Sequence, residues 1–150
     1  ASYQDTRCRC SPHELLRYGL KISGPLLDRI DLHVEVPRVN YEKLSSLERG
    51  ESSAAIRARV EAARERQRVR FQNKKVLTNS EMTNIELRDA CQLQPGARDM
   101  LGIAVTRLHL SARGYHRVLK VARTIADLAG AENIADEHVA EALQYRMKSE

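Results

Sequence analysis

Five stretches of this chain open with residues that start helices, and that punctuation constrains the fold more than any other feature. "SPHE" at 11–14 pairs Ser11 with Glu14 in a capping box and puts Pro12 at the first helical position. "MTNIEL" at 82–87 repeats the box with Thr83 and Glu86, flanked by Met82 and Leu87 as a hydrophobic staple. Pro95 opens a third helix, Ser111 caps a fourth that ends at Gly130, and Asp136 caps a fifth. Apolar residues follow at helical spacing. Met100, Leu101, Ala104, Val105 and Leu108 serve the third helix. Val118, Ala122, Ile125 and Ala129 serve the fourth, and Val139, Ala140 and Leu143 the fifth. A long helix after Ser53 carries Ile56, Val60, Ala63, Gln67 and Phe71 on one stripe. The chain has no tryptophan and one phenylalanine, so Leu, Ile, Val and Ala must fill the interior, which suits packed helices.

One stretch departs from this pattern. In "SGPLLDRIDLHVEV" (23–36), Gly24 and Pro25 start a short helical turn that ends near Arg29. Leu32, Val34 and Val36 then alternate with His33 and Glu35 as a short strand stopped by Pro37. Residues 38–50 are polar and turn-rich and read as a linker. The expected fold is mainly α: a strand-bearing segment at 1–37, then a bundle of four or five helices over 51–150.

Charge is unevenly spread. From Arg57 to Lys75, eight basic residues meet two acidic ones, so this segment carries +6 in a chain whose net charge is +5. Arg57, Arg64 and Arg68, spaced seven and four, share a helix face. They form either a solvated surface or a phosphate-contacting one. No interleaved aromatics suggest base stacking. Arg113 stands in the first turn after the Ser111 cap, where the helix dipole disfavours cations but free N–H groups suit a phosphate. Arg29 lies between Leu26, Leu27 and Ile30. Either Asp28 or Asp31 pairs with it, or it is held at the surface for a partner.

Other chemistry is sparse. The sequence holds no phosphate-binding G-x-x-x-x-G-K-[ST], no H-E-x-x-H and no G-x-S-x-G, so the chain alone has no complete active site. Cys8 and Cys10 supply only two thiolates, too few for a closed zinc site, and no metal is expected there. Three cysteines make no disulfide framework, which suits a cytoplasmic location. No apolar run is long enough for a membrane span. The opening "ASYQDTRCRC" reads as cut from something longer.

Three ordered stretches carry a resemblance over nearly the whole chain: "ISGPLLDRIDLHVEVP", "GESSAAIRARVEAARERQ" and "LSARGYHRVLKVARTIADLAG" with its continuation through "HVAEALQYR". Together they resemble the C-terminal part of the bacterial magnesium-chelatase-like AAA+ ATPases of the YifB/ComM family. The resemblance implies that 1–37 ends an AAA+ core and that 51–150 forms its helical lid. It implies that Arg29 is an arginine finger acting on ATP held by the adjacent subunit, and that Arg113 is the sensor 2 arginine for its own subunit's nucleotide. ATP and Mg2+ would serve the longer protein and neither the fragment alone. Partners would be further subunits in a ring, as in a hexamer, and DNA, since ComM-type members are described as branch-migration motors in transformation. Two alternatives are a stand-alone DNA-binding helical module and the motor subunit of a metal-inserting chelatase.

Overall fold

The computed structural model describes residues 9–36, 39, 41, 45 and 50–146. Cys8, Pro37 and most of the 38–50 stretch lie outside the described residues. The chain divides into two compact units, Ala1–Ile30 and Asp31–Glu150.

The first unit holds α1 (Pro12–Gly19) and the single turn α2 (Gly24–Leu27). The capping box of α1 forms as the sequence dictates: Glu14 N–H donates to Ser11 Oγ at 3.3 Å, and Ser11 N–H donates to the Glu14 carboxylate at 2.7 Å. Bonds from the Ser11 backbone and hydroxyl hold Glu14 below the usual carboxylate range. None of the residues of either helix is buried.

The second unit is a bundle of α3 (Ser53–Arg70), α4 (Asn84–Ala90), α5 (Pro95–Arg107), α6 (Ala112–Ala129) and α7 (Asp136–Gln144), with a 3-10 turn at Asn79–Glu81. Its organising element is α6, which packs against α3, α4, α7 and the 3-10 turn, while α5 packs on α7. Ala122 and Ala126 are wholly buried on α6, and these small side chains let neighbouring helices approach closely. Leu101, Val118, Ile134, Val139 and Phe71 complete the core. Met82 and Leu87 are both buried there, at the entry to α4. A backbone bridge joins Leu93 to Ile134, with Ile134 N–H donating to Gln92 O and Gln94 N–H to Ile134 O, each at 2.9 Å. It ties the entries of α5 and α7 together.

Several expectations need correction. Residues 32–36 take no regular secondary structure, and no paired strand exists among the described residues. Val34 and Val36 are 66% and 83% exposed, because alternation makes a strand only where a neighbouring strand accepts its backbone. On α3 the stripe sinks only at its C-terminal end: Ala63, Gln67 and Phe71 are buried, while Ile56 and Val60 stay 43% and 45% exposed. Leu108 is the exposed C-cap of α5, and the turn beyond it is made by His109 in the left-handed region, φ 48°. Ala129 is exposed in the last turn of α6, and Ala126 takes the buried place. Ala140 is half-buried. The N-cap of α7 is Ala135, one residue before Asp136. It has no side chain to accept a bond, so the cap is made in reverse, Ala135 N–H donating to His138 Nδ1 at 3.0 Å.

Candidate functional site

Arg113 occupies the second position of α6. Ser111 Oγ accepts from Gly114 N–H at 3.0 Å, which fixes the helix start and satisfies one of its unpaired donors. Gly114 behind it is buried, while the Arg113 side chain is exposed. Arg113, Arg117 and Lys120, spaced four and three, follow one side of the helix. Arg117 Nη1 donates to the Asp31 carboxylate. Lys120 Nζ donates to Ser80 O at 2.8 Å, and burial first, then the Arg117 charge, depress its ammonium below the usual lysine range.

Arg29 follows α2, and its backbone N–H donates to Leu26 O at 3.0 Å. Its side chain is exposed, and Asp31, one of its two possible partners, is taken by Arg117. Arg29 and Arg113 therefore share two properties: each is exposed, and the backbone of each stands at or next to a helix terminus. They belong to different units, Ala1–Ile30 and Asp31–Glu150.

The basic face of α3 is less uniform than its composition suggests. Arg57, Arg64 and Arg68 are all exposed, but Arg68 pairs with Glu65 at 2.6 Å. On the same helix Arg59 pairs with Glu51 at 2.8 Å. Cys10 is exposed, and among the described residues no group of His, Cys, Asp and Glu is placed to hold a metal ion.

Sequence reasoning missed a buried polar cluster behind this surface. The Asp127 carboxylate is fully enclosed and accepts from Arg70 Nη1 at 2.8 Å, from Arg70 Nη2 and from Asn79 Nδ2 at 2.8 Å. Arg123, 1% exposed at its side chain, lies 3.0 Å from the same carboxylate and donates to Glu132 O at 2.6 Å and Ala131 O at 2.7 Å. Gln67 Oε1 accepts from Asn79 N–H at 3.1 Å, which explains a glutamine on the inner face of α3. Nearby, Cys91 is buried, and desolvation pushes its thiol up to about 11, so it is an unreactive core residue. The available signal was Arg123 and Asp127 at i, i+4 among the apolar positions of α6. Within "RTIADLAG" they hold the helix C-terminus to the chain that follows it.

A family model described as magnesium chelatase, subunit ChlI C-terminal, matches residues 50–146. The chain belongs to that family. The companion model, magnesium chelatase, subunit ChlI, matches residues 1–44. Competence protein ComM of Haemophilus influenzae is 43% identical over 145 residues, which is 96% of this chain and 28% of that protein. The uncharacterised protein YifB of Escherichia coli is 44% identical over 147 residues, again 96% of this chain and 28% of the relative. An uncharacterised protein of Mycobacterium tuberculosis is 39% identical over 139 residues, 93% of this chain and 27% of the relative. The chain thus spans little more than a quarter of the length of these relatives.

Proposed function

We propose that the chain is the C-terminal portion of a longer AAA+ ATPase that works as a ring, here a hexamer, and that it supplies two cations to ATP hydrolysis. Arg29 is the arginine finger that reaches the nucleotide of the adjacent subunit. Arg113 is the sensor 2 residue that contacts the nucleotide of its own subunit. The observation that supports this reading is that both arginines are exposed while the backbone of each stands at or next to a helix terminus. A cation aimed at a γ-phosphoryl group must be accessible and yet positioned before the charge develops. The sequence carries no G-x-x-x-x-G-K-[ST] motif, so binding of ATP and Mg2+ is assigned to the rest of the longer protein. Bound there, ATP and Mg2+ would supply the phosphoryl group and the neutralisation of its charge. The residues of this chain act only as the two positioned cations.

The test is nucleotide binding and steady-state turnover in the longer protein. Arg29→Ala should lower kcat on the order of a thousandfold while leaving nucleotide affinity nearly intact. Arg113→Ala should weaken binding as well as turnover. Unchanged turnover in both variants would refute the reading.

The work of the motor is read as remodelling of DNA. One relative is named a competence protein, and α3 presents Arg57, Arg64 and Arg68 to solvent. Phosphate contacts release counterions, so binding should weaken steeply with added salt, and replacing all three arginines with glutamate should abolish it. DNA retention unchanged by that triple substitution would leave the face merely solvated.

A further inference from the structure

Arg117 lies one turn after Arg113 on α6, so the Cβ atoms of the two arginines stand about 5–6 Å apart on one side of the helix. Lys120 continues the row by another turn. The acid bonded to this row is Asp31, which accepts from Arg117 within the unit Asp31–Glu150. Glu141 lines a groove beside Lys120, and even with it the acids are outnumbered. Burial first, then the Arg117 charge, depresses the Lys120 ammonium, and the opposing effect of Asp31 is smaller than that of Arg117. Positive charge is in excess along this side of α6.

The bond between Arg117 and Asp31 leaves room for another anion. Arg117 donates from Nη1, and among the described residues its Nε and Nη2 have no partner. A guanidinium can present two parallel N–H bonds to a carboxylate or a phosphate, so part of the fork is unused. The two side chains are 29% and 44% exposed, and an ion pair that open to water contributes little to folding. Nor does the pair alone hold Asp31 and its neighbours in place. Leu32 lines the groove of about 310 Å³ with Val121, Ile125 and Leu128, and His33 N–H donates to Tyr145 O at 2.8 Å. Asp31 can release Arg117 while the residues after it stay attached to the helical unit.

We propose that Arg117 is a second phosphate-binding residue of α6, gripping the same polyphosphate as Arg113, and that Asp31 is an internal anion competing for it. This role rests on the nucleotide contact read for Arg113 above, and it adds a third cation to the two named there. A polyphosphate carries more charge than one carboxylate and can use both arms of the fork, so it displaces Asp31 on arrival. When the polyphosphate leaves, the carboxylate takes its place. The competition lowers affinity below what two free arginines would give and eases release of the product.

The test is the affinity of the longer protein for a slowly hydrolysed ATP analogue, measured by calorimetry, with Arg113→Ala as the reference. Asp31→Asn should tighten binding about threefold or more, because it removes the competing charge and keeps the shape. Arg117→Gln should weaken binding about tenfold. In the Arg117→Gln background, Asp31→Asn should give no comparable gain, since the gain acts through Arg117. A merely structural pair predicts another sign: Asp31→Asn would leave affinity unchanged or weaker. Binding by Asp31→Asn no tighter than the parent's, or a gain that survives Arg117→Gln, refutes the competition. If Arg113→Ala weakens binding and Arg117→Gln does not, the role of Arg117 is refuted alone. If Arg113→Ala binds as the parent does, the reading of Arg113 falls and this role falls with it. Thermal melts identify any variant that fails to fold. Arg117→Lys, which keeps the charge but loses the fork, should bind between the parent and Arg117→Gln.

Discussion

Asp127 is a carboxylate with no solvent exposure, enclosed by Arg70, Arg123 and Asn79. Burying a charge costs several kcal/mol unless its partners and hydrogen bonds offset it, and here three side chains converge on the same two oxygens. Asp127→Ala would leave two guanidiniums facing each other without an anion, while Asn79 Nδ2 would keep only Thr124 Oγ1 as an acceptor. We expect a loss of about 3–5 kcal/mol in urea unfolding of the chain. A loss below about 1 kcal/mol would mean that water or a neighbouring acid replaces the carboxylate. Side chains whose partners are local were legible in the sequence: Ser11 with Glu14 and Thr83 with Glu86 form the bonds their spacing demands. Asp127 was not, because Arg70 and Asn79 lie 57 and 48 residues away and no local pattern announces them. Arg29 is intermediate. Its alternatives could be stated from the sequence, but only the fold shows Asp31 engaged by Arg117.

At the scale of elements, α6 illustrates how a helix is closed. Gly130 caps it in the left-handed region at φ 78°, with its N–H donating to Asp127 O at 3.2 Å. A side chain there is strained by its backbone, and a Cβ would stand 3.1 Å from Arg66 Nη2, the flexible end of a long side chain. Gly130→Ala should therefore cost about 1–2 kcal/mol, mostly from φ, and lower the melting temperature. An unchanged melt would show that the cap relaxes freely. Helix starts were readable because capping chemistry spans only three residues. Burial along a stripe was less so. Periodicity places Ala126 and Ala129 on the same side of α6, and only the end of the packed region leaves Ala129 outside. The segment Leu32–Val36 shows the limit of the period-two signal, which records alternation and is silent about whether another strand lies beside it.

At the scale of the whole molecule, the helical unit needs few large residues because the buried Ala97, Ala122 and Ala126 allow its helices to pack closely. That unit contains the family-matched region 50–146 and holds Arg113, while Arg29 belongs to the unit that ends at Ile30. The helical class was readable from caps and composition. The roles proposed for the two arginines were not, since exposure alone does not distinguish a phosphate contact from a solvated cation, and they rest on the resemblance. Mixing subunits tests the two roles most directly. Rings are assembled from Arg29→Ala subunits together with subunits whose own phosphate-binding loop is disabled, and ATP turnover is measured across mixing ratios. Neither parent should turn over, and mixtures should, because one subunit supplies the finger and its neighbour the nucleotide site. Arg113→Ala subunits in the same mixture should give no such recovery at their own sites. Mixed rings verified by native mass spectrometry that remain inactive at every ratio would contradict a finger acting across subunits.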